Sequence, residues 1–585
     1  MLVKKNDKKN VLIAFAINAI FLLLVIMFCD MKYEVSDDFI VDSILSGAYG
    51  NGYDEHLLFS NILYGYFLKF LYQLIPVVSW YFVAQIVICF CSLWAVSYII
   101  LQRNNQYVGI LVSIIFVSFF SDDLYILVQF TKTAAVAMCA GGALMLYGIW
   151  DQEKRKNTEV LCGGVLALIG SMIRFSAIYI ALVFLALMML RYILSNCKLD
   201  RNISKIGGAI IICILYLGCA FFLHKLDAFI WNQNQEYKNY KIYNEQRASV
   251  TDINSYGYDS VKDELSEIGI SGNDYSMLDT WNFVDQDYFS SEKLKKISGI
   301  KKAYSDSVTK NIKYVIRQFF GRHYEKYTVA MGLLVLFFCV FFLDKRKRVW
   351  QFLELGVTAL LLMYFIYRGR VVYRVEYAIF VCAAISMATS LQVQYKLDLL
   401  VKRIIIGCGI LICICKIPLY IPDRSYQKMN DEEYAQYIYD CFYESWNFKI
   451  KKYRCCVSKR RSHEALMKLI ENDTEHYYLI DFNTGIQLIY YNYKPWIRIN
   501  ENAYDRYSYL GGVTMGYPDN YAIWEKHGID GKNPYMNIAN SNIYIVDNYY
   551  PEEKLKYVEE RYNANTALFF VKKISGFDVW KYSVE

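Results

Sequence analysis

Apolar runs long enough to form helices alternate along the chain with short polar turns. They cover 11–29, 80–101, 107–120, 133–150, 160–173, 175–194, 206–222, 327–343, 349–366, 377–391 and 404–421. Runs of this length and composition predict membrane-spanning helices. The basic residues collect in alternate connections: Lys4, Lys5, Lys8 and Lys9, then Arg103, Lys154-Arg155-Lys156, Lys198, Arg201 and Lys205, Lys345-Arg346-Lys347-Arg348, and Lys396, Lys402 and Arg403. Lys and Arg mark cytoplasmic loops, so the N-terminus is expected in the cytoplasm. About 11 spans then leave the tail outside.

Two of the expected outer connections are long. The first, 30–79, carries Asp30, Glu34, Asp37, Asp38, Asp42, Asp54 and Glu55 against only Lys32 and Lys69. Inside it, 57–75 is apolar but interrupted by Asn61, Gly65, Lys69 and Gln73. That four-residue spacing marks one helical face and predicts an amphipathic helix lying in the outer interface. The second, 223–326, far exceeds ordinary connection length and is rich in Tyr, Asn and Asp. Its aromatics argue against wholesale disorder, and its Gly269–Tyr275 stretch and Thr280-Trp281 suit a cover over a site. The segment 121–132 is expected as a short outer helix, with Lys132 at the membrane edge, because a lone ammonium in mid-membrane is expensive. The run 160–173 is short for a span, which sets Arg174 below the outer surface, in need of a cavity and an anion or else snorkelling to headgroups.

Beyond residue 423 the pattern changes. Strand-like runs at 477–482, 486–491, 542–547, 567–572 and 577–582 alternate with helical patterns at 432–446, 463–471 and 552–562, the last opened by Pro551. Gly511-Gly512 falls between Tyr-rich segments and is read as a turn without chemistry. The abundant tyrosines here are read as core packing ahead of sugar-stacking platforms. The expected fold class is an α-helical polytopic membrane bundle of about 11 transmembrane helices, 1–422, with a C-terminal extracytoplasmic α/β domain, 423–585.

Composition narrows the class. With 585 residues, 55% hydrophobic, and a mean hydropathy of +0.18, the chain is too apolar for an ordinary soluble enzyme and too polar for spans alone. Its net charge of +7 is dispersed, which excludes nucleic acid as a partner. Most of the 16 cysteines sit in apolar runs as small hydrophobes, and no zinc spacing occurs. A disulfide from Cys441 to Cys455 or Cys456 is the one pairing considered. No small-residue cleavage site follows Cys29, so the first run is read as a retained anchor.

Three groups are expected to meet at the outer rim: the carboxylates Asp37 and Asp38; Arg174; and the turn carrying Arg368, Arg370 and Arg374. Lys132, Asp122 and Asp123 are secondary candidates for the same site, and His56, beside Asp54-Glu55, is a weak metal-ligand candidate. Arginine forks suit a phosphate, and a carboxylate suits removal of a proton from an attacking hydroxyl. The alternative for the carboxylates is simple solvation of the loop.

A first span followed by Asp37-Asp38 in a large outer loop with an amphipathic helix, then many further spans and a soluble tail, resembles the GT-C class of membrane glycosyltransferases. The resemblance covers the layout of 1–420 and not the tail. It implies a polyprenyl-phosphate-linked sugar donor, a glycan or glycolipid acceptor, and Asp37 or Asp38 as general base, with Arg174 and the Arg368–Arg374 group holding the lipid phosphate. It further implies a multi-pass protein of the plasma membrane, of the kind found in Gram-positive-type bacteria, acting on its outer face. The chain lacks an evident second acidic motif, so a divalent metal cofactor is left open. A surface-polysaccharide polymerase or ligase is the alternative reading, with a transporter or flippase behind it; no internal repeat supports the latter.

Overall fold

The computed structural model describes residues 7–29, 31–150, 156–195, 199–252, 256–324, 327–344, 348–394, 398–416, 428–430, 433, 464–562 and 565–584. The predicted helix 432–446, Cys441, Cys455 and Cys456, and the basic residues at 4–5, 154–155 and 345–347 lie outside them. Each of the eleven apolar runs lies within or overlaps a helix. Six helices are long and apolar enough to cross a membrane by length and composition: Asp7–Phe28, Trp80–Arg103, Phe130–Trp150, Phe175–Leu194, Lys205–Trp231 and Arg348–Tyr367. Gln106–Phe120, Asn157–Ile173 and Thr328–Leu343 are shorter apolar helices. Exposed Leu23, Met27, Ile214, Phe222 and Leu360 on these helices are tolerable only against lipid, and the chain is a multi-pass membrane protein.

Phe130–Trp150 runs through the centre, buried along its whole length. Its Ala134, Ala135, Ala137, Ala140 and Ala143 let neighbouring helices approach closely, as membrane bundles require. A buried ion pair, Arg191 Nη1 to Glu354 Oε1 at 2.5 Å, ties Ile178–Ser195 to Arg348–Tyr367, and Ser386 Oγ donates to the same oxygen at 2.6 Å.

The two long connections fold over one end of the bundle. In the first, strand β1 (Lys32–Tyr33) pairs in parallel with β2 (Leu127–Val128), fixing the start of helix Ser36–Leu45. The amphipathic helix spans Ile62–Leu74, shorter than expected, because Asn61 caps it by accepting from the backbone of Leu63. Its Tyr66, Phe67, Phe70 and Leu74 point outward, while Lys69 turns inward onto Glu55 at 2.5 Å. Its buried side is apolar as well, with Ile62, Tyr64, Leu68 and Tyr72, and Gln73 is exposed, so the interrupting polar residues do not form one inward face: the helix packs on protein through one side and presents aromatics outward on the other.

The segment 121–132 departs from expectation. It forms only a single turn, Asp122–Tyr125, then β2, and Lys132 belongs to the first turn of the central helix. Helix Leu199–Trp231 likewise runs past its predicted end at 222. Most of the connection 223–326 is helical: Gln235–Thr251, Lys262–Glu267, Gly272–Asp279, Ser291–Thr309 and Ile312–Gly321. Local capping explains several starts: Asn234, Ser290 and Asn311 accept from first-turn amides, and Ser271 with Asp274 forms a capping box.

The tail holds a five-stranded sheet in the order β4-β3-β5-β7-β6, from β3 (Tyr477–Asp481), β4 (Tyr507–Leu510), β5 (Ile543–Val546), β6 (Thr566–Ile574) and β7 (Phe577–Val584). β4, β3 and β5 are parallel, and β7 joins antiparallel. The expected strand at 486–491 is instead part of helix Phe482–Asn492. Asp481 caps that helix, accepting from Asn483 and Thr484, and a short apolar run alone does not distinguish strand from helix. β4 was not anticipated. Tyr477, Tyr478, Tyr504, Tyr507 and Tyr509 are buried, as core tyrosines should be. The sheet unit docks on both long connections: Phe39 packs on Tyr493 at 4.3 Å, the Ser43 and Tyr504 hydroxyls are 2.8 Å apart, and Arg561 pairs with Asp274.

Candidate active site

Asp37 and Asp38 occupy the first turn of helix Ser36–Leu45, where the helix dipole favours negative charge. Successive helical positions diverge by about 100°, so the two side chains part company. Asp38 is fully buried and accepts from Tyr81 Oη at 2.8 Å and from the Phe130 amide at 3.0 Å. One turn on, Asp42 accepts from Tyr72 at 2.6 Å, Tyr33 at 2.9 Å and Ser79 at 3.2 Å. These two acids anchor the helix. Asp37 faces the other way, into a cavity of about 440 Å³.

Arg174, Arg247, Arg370 and Arg374 line the same cavity. Arg174 is the C-cap of Asn157–Ile173, and its early helix end brings the side chain inward. Its guanidinium sits 4.9 Å from the Phe59 ring and 5.3 Å from the Phe130 ring, with Nε donating to Ser176 Oγ at 3.1 Å. Burial, and then the neighbouring Arg374 and Arg370, lower its pKa to about 10. Snorkelling to lipid headgroups is not what its contacts describe.

The turn between Arg348–Tyr367 and Tyr373–Ser390 is a Schellman motif. Arg370 N donates to Phe365 O at 3.0 Å and Gly369 N to Ile366 O at 2.9 Å, with Gly369 at φ +65°. This left-handed residue turns Arg370 into the site, where it meets Asp252 at 2.6 Å. Arg370 therefore precedes the helix and shares no helical face with Arg374, although a spacing of four would put both on one face of a continuous helix. Arg368 lines a second, larger cavity of about 1010 Å³ and not the one holding Asp37.

The two cavities share Phe59, Arg174, Arg370, Val372 and Arg374 on their common border, and Asp252 and Ala248 as well. Beyond the border one side of the larger cavity is walled by Tyr179, Ile180, Tyr364 and Phe365 from apolar helices, and the other by polar residues, among them Lys241, Glu245, Ser298, Lys302, Asp306 and Lys310. On the other side the smaller cavity is closed by Thr280, Trp281, Phe482, Asn483, Gly512 and Tyr550.

That closing wall is under conformational tension. Trp281 adopts φ +62°, rare for a bulky residue, and its ring stacks on Phe482 at 5.2 Å. The Gly511-Gly512 turn, at φ +115° and +69°, lies against this pair: a Cβ on Gly511 would approach Trp281 O to 2.7 Å, and one on Gly512 would approach Phe482 Cε2 to 2.8 Å. Gly512 is thus part of the cavity wall, and Gly511 packs against Trp281 beside it.

Electrostatically, burial raises the pKa of Asp37, Arg374 and Arg247 oppose the rise, and Asp252 adds to it. Arg247 is lowered by burial, with Asp37 as the foremost opposing charge. The site combines a carboxylate held above its usual range with guanidiniums on its border.

The remaining candidates lie elsewhere. Lys132 is buried and pairs with Glu34 at 2.6 Å, its Nζ also donating to Asp123 O at 2.6 Å. Asp123 accepts from Tyr373 Oη at 2.9 Å, and Asp122 is buried in its single helical turn. None of the three lines either cavity, because the tight β1–β2 pairing folds them behind its wall. His56, Asp54 and Glu55 bring ligand-type atoms within 4.8 Å of one another. However, Asp54 already accepts from His56 at 2.6 Å and from Tyr237 and Tyr517 at 2.8 Å each, and Glu55 is engaged by Lys69. With those oxygens filled by protein donors, the group fits a junction between segments better than a metal site.

Sequence reasoning missed Arg247 and Asp252. Both come from helix Gln235–Thr251 and its C-cap, inside the connection taken as a cover.

No protein-family model matches the chain, and no curated protein matches it. Among solved structures, the crystal structure of ArnT from Cupriavidus metallidurans in the apo state is similar over 97% of this chain and 96% of that chain, with a TM-score of 0.39 and 10% identity.

Proposed function

We propose that the protein is a glycosyltransferase of the GT-C type that moves a sugar from a polyprenyl phosphate to a cell-surface glycan or glycolipid, on the extracytoplasmic face. The observation that carries this reading is the shared border of the two cavities. Arg174, Arg370 and Arg374 stand between a larger cavity, apolar along its Tyr179, Ile180, Tyr364 and Phe365 side, where an isoprenoid chain could lie, and a smaller one holding Asp37. A lipid phosphate at that border leaves its sugar beside the carboxylate.

The steps follow from the chemistry of these groups. Asp37 takes the proton of the acceptor hydroxyl, and the freed oxygen attacks the anomeric carbon. The bond from that carbon to the phosphate oxygen breaks, and polyprenyl phosphate leaves with the electron pair. The guanidiniums stabilise the charge that grows on the leaving oxygen. Attack from the side opposite the phosphate gives inversion. The raised pKa of Asp37 suits a base, whose efficiency improves as its pKa nears the working pH.

The test is release of labelled sugar from polyprenyl-phosphate donors by membranes containing the protein. Asp37→Asn should cut transfer by roughly 10²–10⁴-fold, the usual contribution of a general base. Undiminished transfer by that variant removes Asp37 from the mechanism.

A second reading is a polymerase or ligase acting on polyprenyl-diphosphate oligosaccharides. Lys302 and Arg368 in the larger cavity favour it, since they supply cations for a second phosphate. Activity on diphosphate-linked but not monophosphate-linked donors selects it.

A further inference from the structure

Arg247 stands apart from the other arginines of the site. It lines the smaller cavity only, away from the border where Arg174, Arg370 and Arg374 meet the apolar walls. It is 2% exposed and still reaches the cavity. Nε donates to Asn244 Oδ1 at 2.9 Å, and the guanidinium carbon lies 4.9 Å from the Trp281 ring centroid. Nη1 is buried without a hydrogen-bond acceptor among the described residues. A buried charged donor left unsatisfied is costly, and such costs persist where a ligand supplies the missing acceptor. The strained backbone of Trp281, which holds its ring against the guanidinium, points the same way.

The hydrogen-bond acceptor that pairs most strongly with this guanidinium is an anion, and it would sit beside Asp37 in the cavity the two residues share. Resting on the reading of Asp37 as the base, the group beside it belongs to the acceptor. We infer that the smaller cavity selects an acceptor glycan bearing an anionic substituent, a carboxylate or a phosphate ester, which Arg247 binds through its free Nη1 edge. A neutral glycan offers that edge only hydroxyl oxygens, weaker partners for a guanidinium than an anion, so the site favours a charged ligand.

Equilibrium binding to the detergent-purified full chain tests this, with methyl β-glucuronide and glucose 6-phosphate set against methyl β-glucoside. The expected result is at least about tenfold tighter binding of a charged ligand, as one charge-assisted contact provides. Whichever of the two charged ligands prevails tells carboxylate from phosphate. Arg247→Gln should erase the preference and Arg247→Lys should keep part of it. Undecaprenyl phosphate should bind Arg247→Gln as it binds wild type, yet bind Arg374→Gln more weakly.

Equal binding of charged and neutral sugars by wild type, or failure to bind either charged sugar, overturns the inference. So does a loss of undecaprenyl phosphate in Arg247→Gln matching that in Arg374→Gln, which would place Arg247 in the lipid-phosphate site. If Arg247→Gln does not fold, the wild-type preference and its attenuation in Arg247→Lys decide. Should wild type ignore undecaprenyl phosphate altogether, the proposed transferase reading fails, while the comparison of charged with neutral sugars still judges Arg247.

Discussion

Arg370 Nη2 lies 2.6 Å from Asp252 Oδ2, an ion pair that joins the turn after Arg348–Tyr367 to the end of Gln235–Thr251. Both partners are partly exposed, so the pair adds about 0–1 kcal/mol of stability. On the proposed function its consequence lies in binding, because a donor phosphate would compete with Asp252 for the same guanidinium. Asp252→Asn should leave the melting temperature nearly unchanged and lower KM for a polyprenyl-phosphate donor several-fold. A raised KM would mean that Asp252 helps seat the donor.

Asp38 should behave unlike its neighbour. Its Oδ1 accepts two hydrogen bonds, and burial raises its pKa well above the ordinary carboxylate range. An asparagine oxygen can accept the same two bonds without a buried charge. Asp38→Asn should therefore fold and retain transfer, whereas Asp38→Ala strands the Tyr81 hydroxyl and the Phe130 amide and should lose about 1–3 kcal/mol. Thermal unfolding beside the transfer assay checks both; an inactive but fully folded Asp38→Asn would instead make Asp38 the base.

The pH profile follows from Asp37. A base works ionised, so kcat/KM should fall as pH drops through its pKa. Burial has raised that pKa, which moves the acidic limb above the range of an ordinary carboxylate. Arg374 is the largest charge opposing the rise. Arg374→Gln should shift the acidic limb further toward neutral, and a shift toward acid in the measured profile would contradict the assignment.

Gly512→Ala probes the closing wall. At φ +69°, an added Cβ meets Phe482 Cε2 at 2.8 Å, so both the backbone and the ring must yield. The left-handed conformation alone costs about 1–3 kcal/mol for a non-glycine residue. The expected outcome is a lower melting temperature with a loss of transfer, since Phe482 supports Trp281. Unaltered activity and stability would show the wall to be more yielding than its contacts indicate.

The apolar runs, the short helix that delivers Arg174 and the Asp37 position were legible in the sequence, because hydrocarbon burial and helix length act on contiguous residues. Hydropathy places a span without any knowledge of its neighbours. The same logic found the strands at 477–482 and 577–582 but misjudged 486–491, whose few apolar residues satisfy either period until Asp481 caps the helix.

What the tertiary structure decided was which charges meet. Asp37 and Asp38 are adjacent in the chain and face opposite ways, since a helix turns one to the cavity and the other to Tyr81. Lys132 looked available, and the parallel pairing of β1 with β2 folds it onto Glu34. Arg247 lies in a largely polar helix and Asp252 at its C-cap; the buried face Tyr240, Tyr243, Arg247 and Val250 recurs at helical spacing but is too polar to read as a core stripe, and only its packing turns these residues to the site. Burial along a run is a local property that composition records; the meeting of distant charges depends on how helices pack, and no local pattern encodes it.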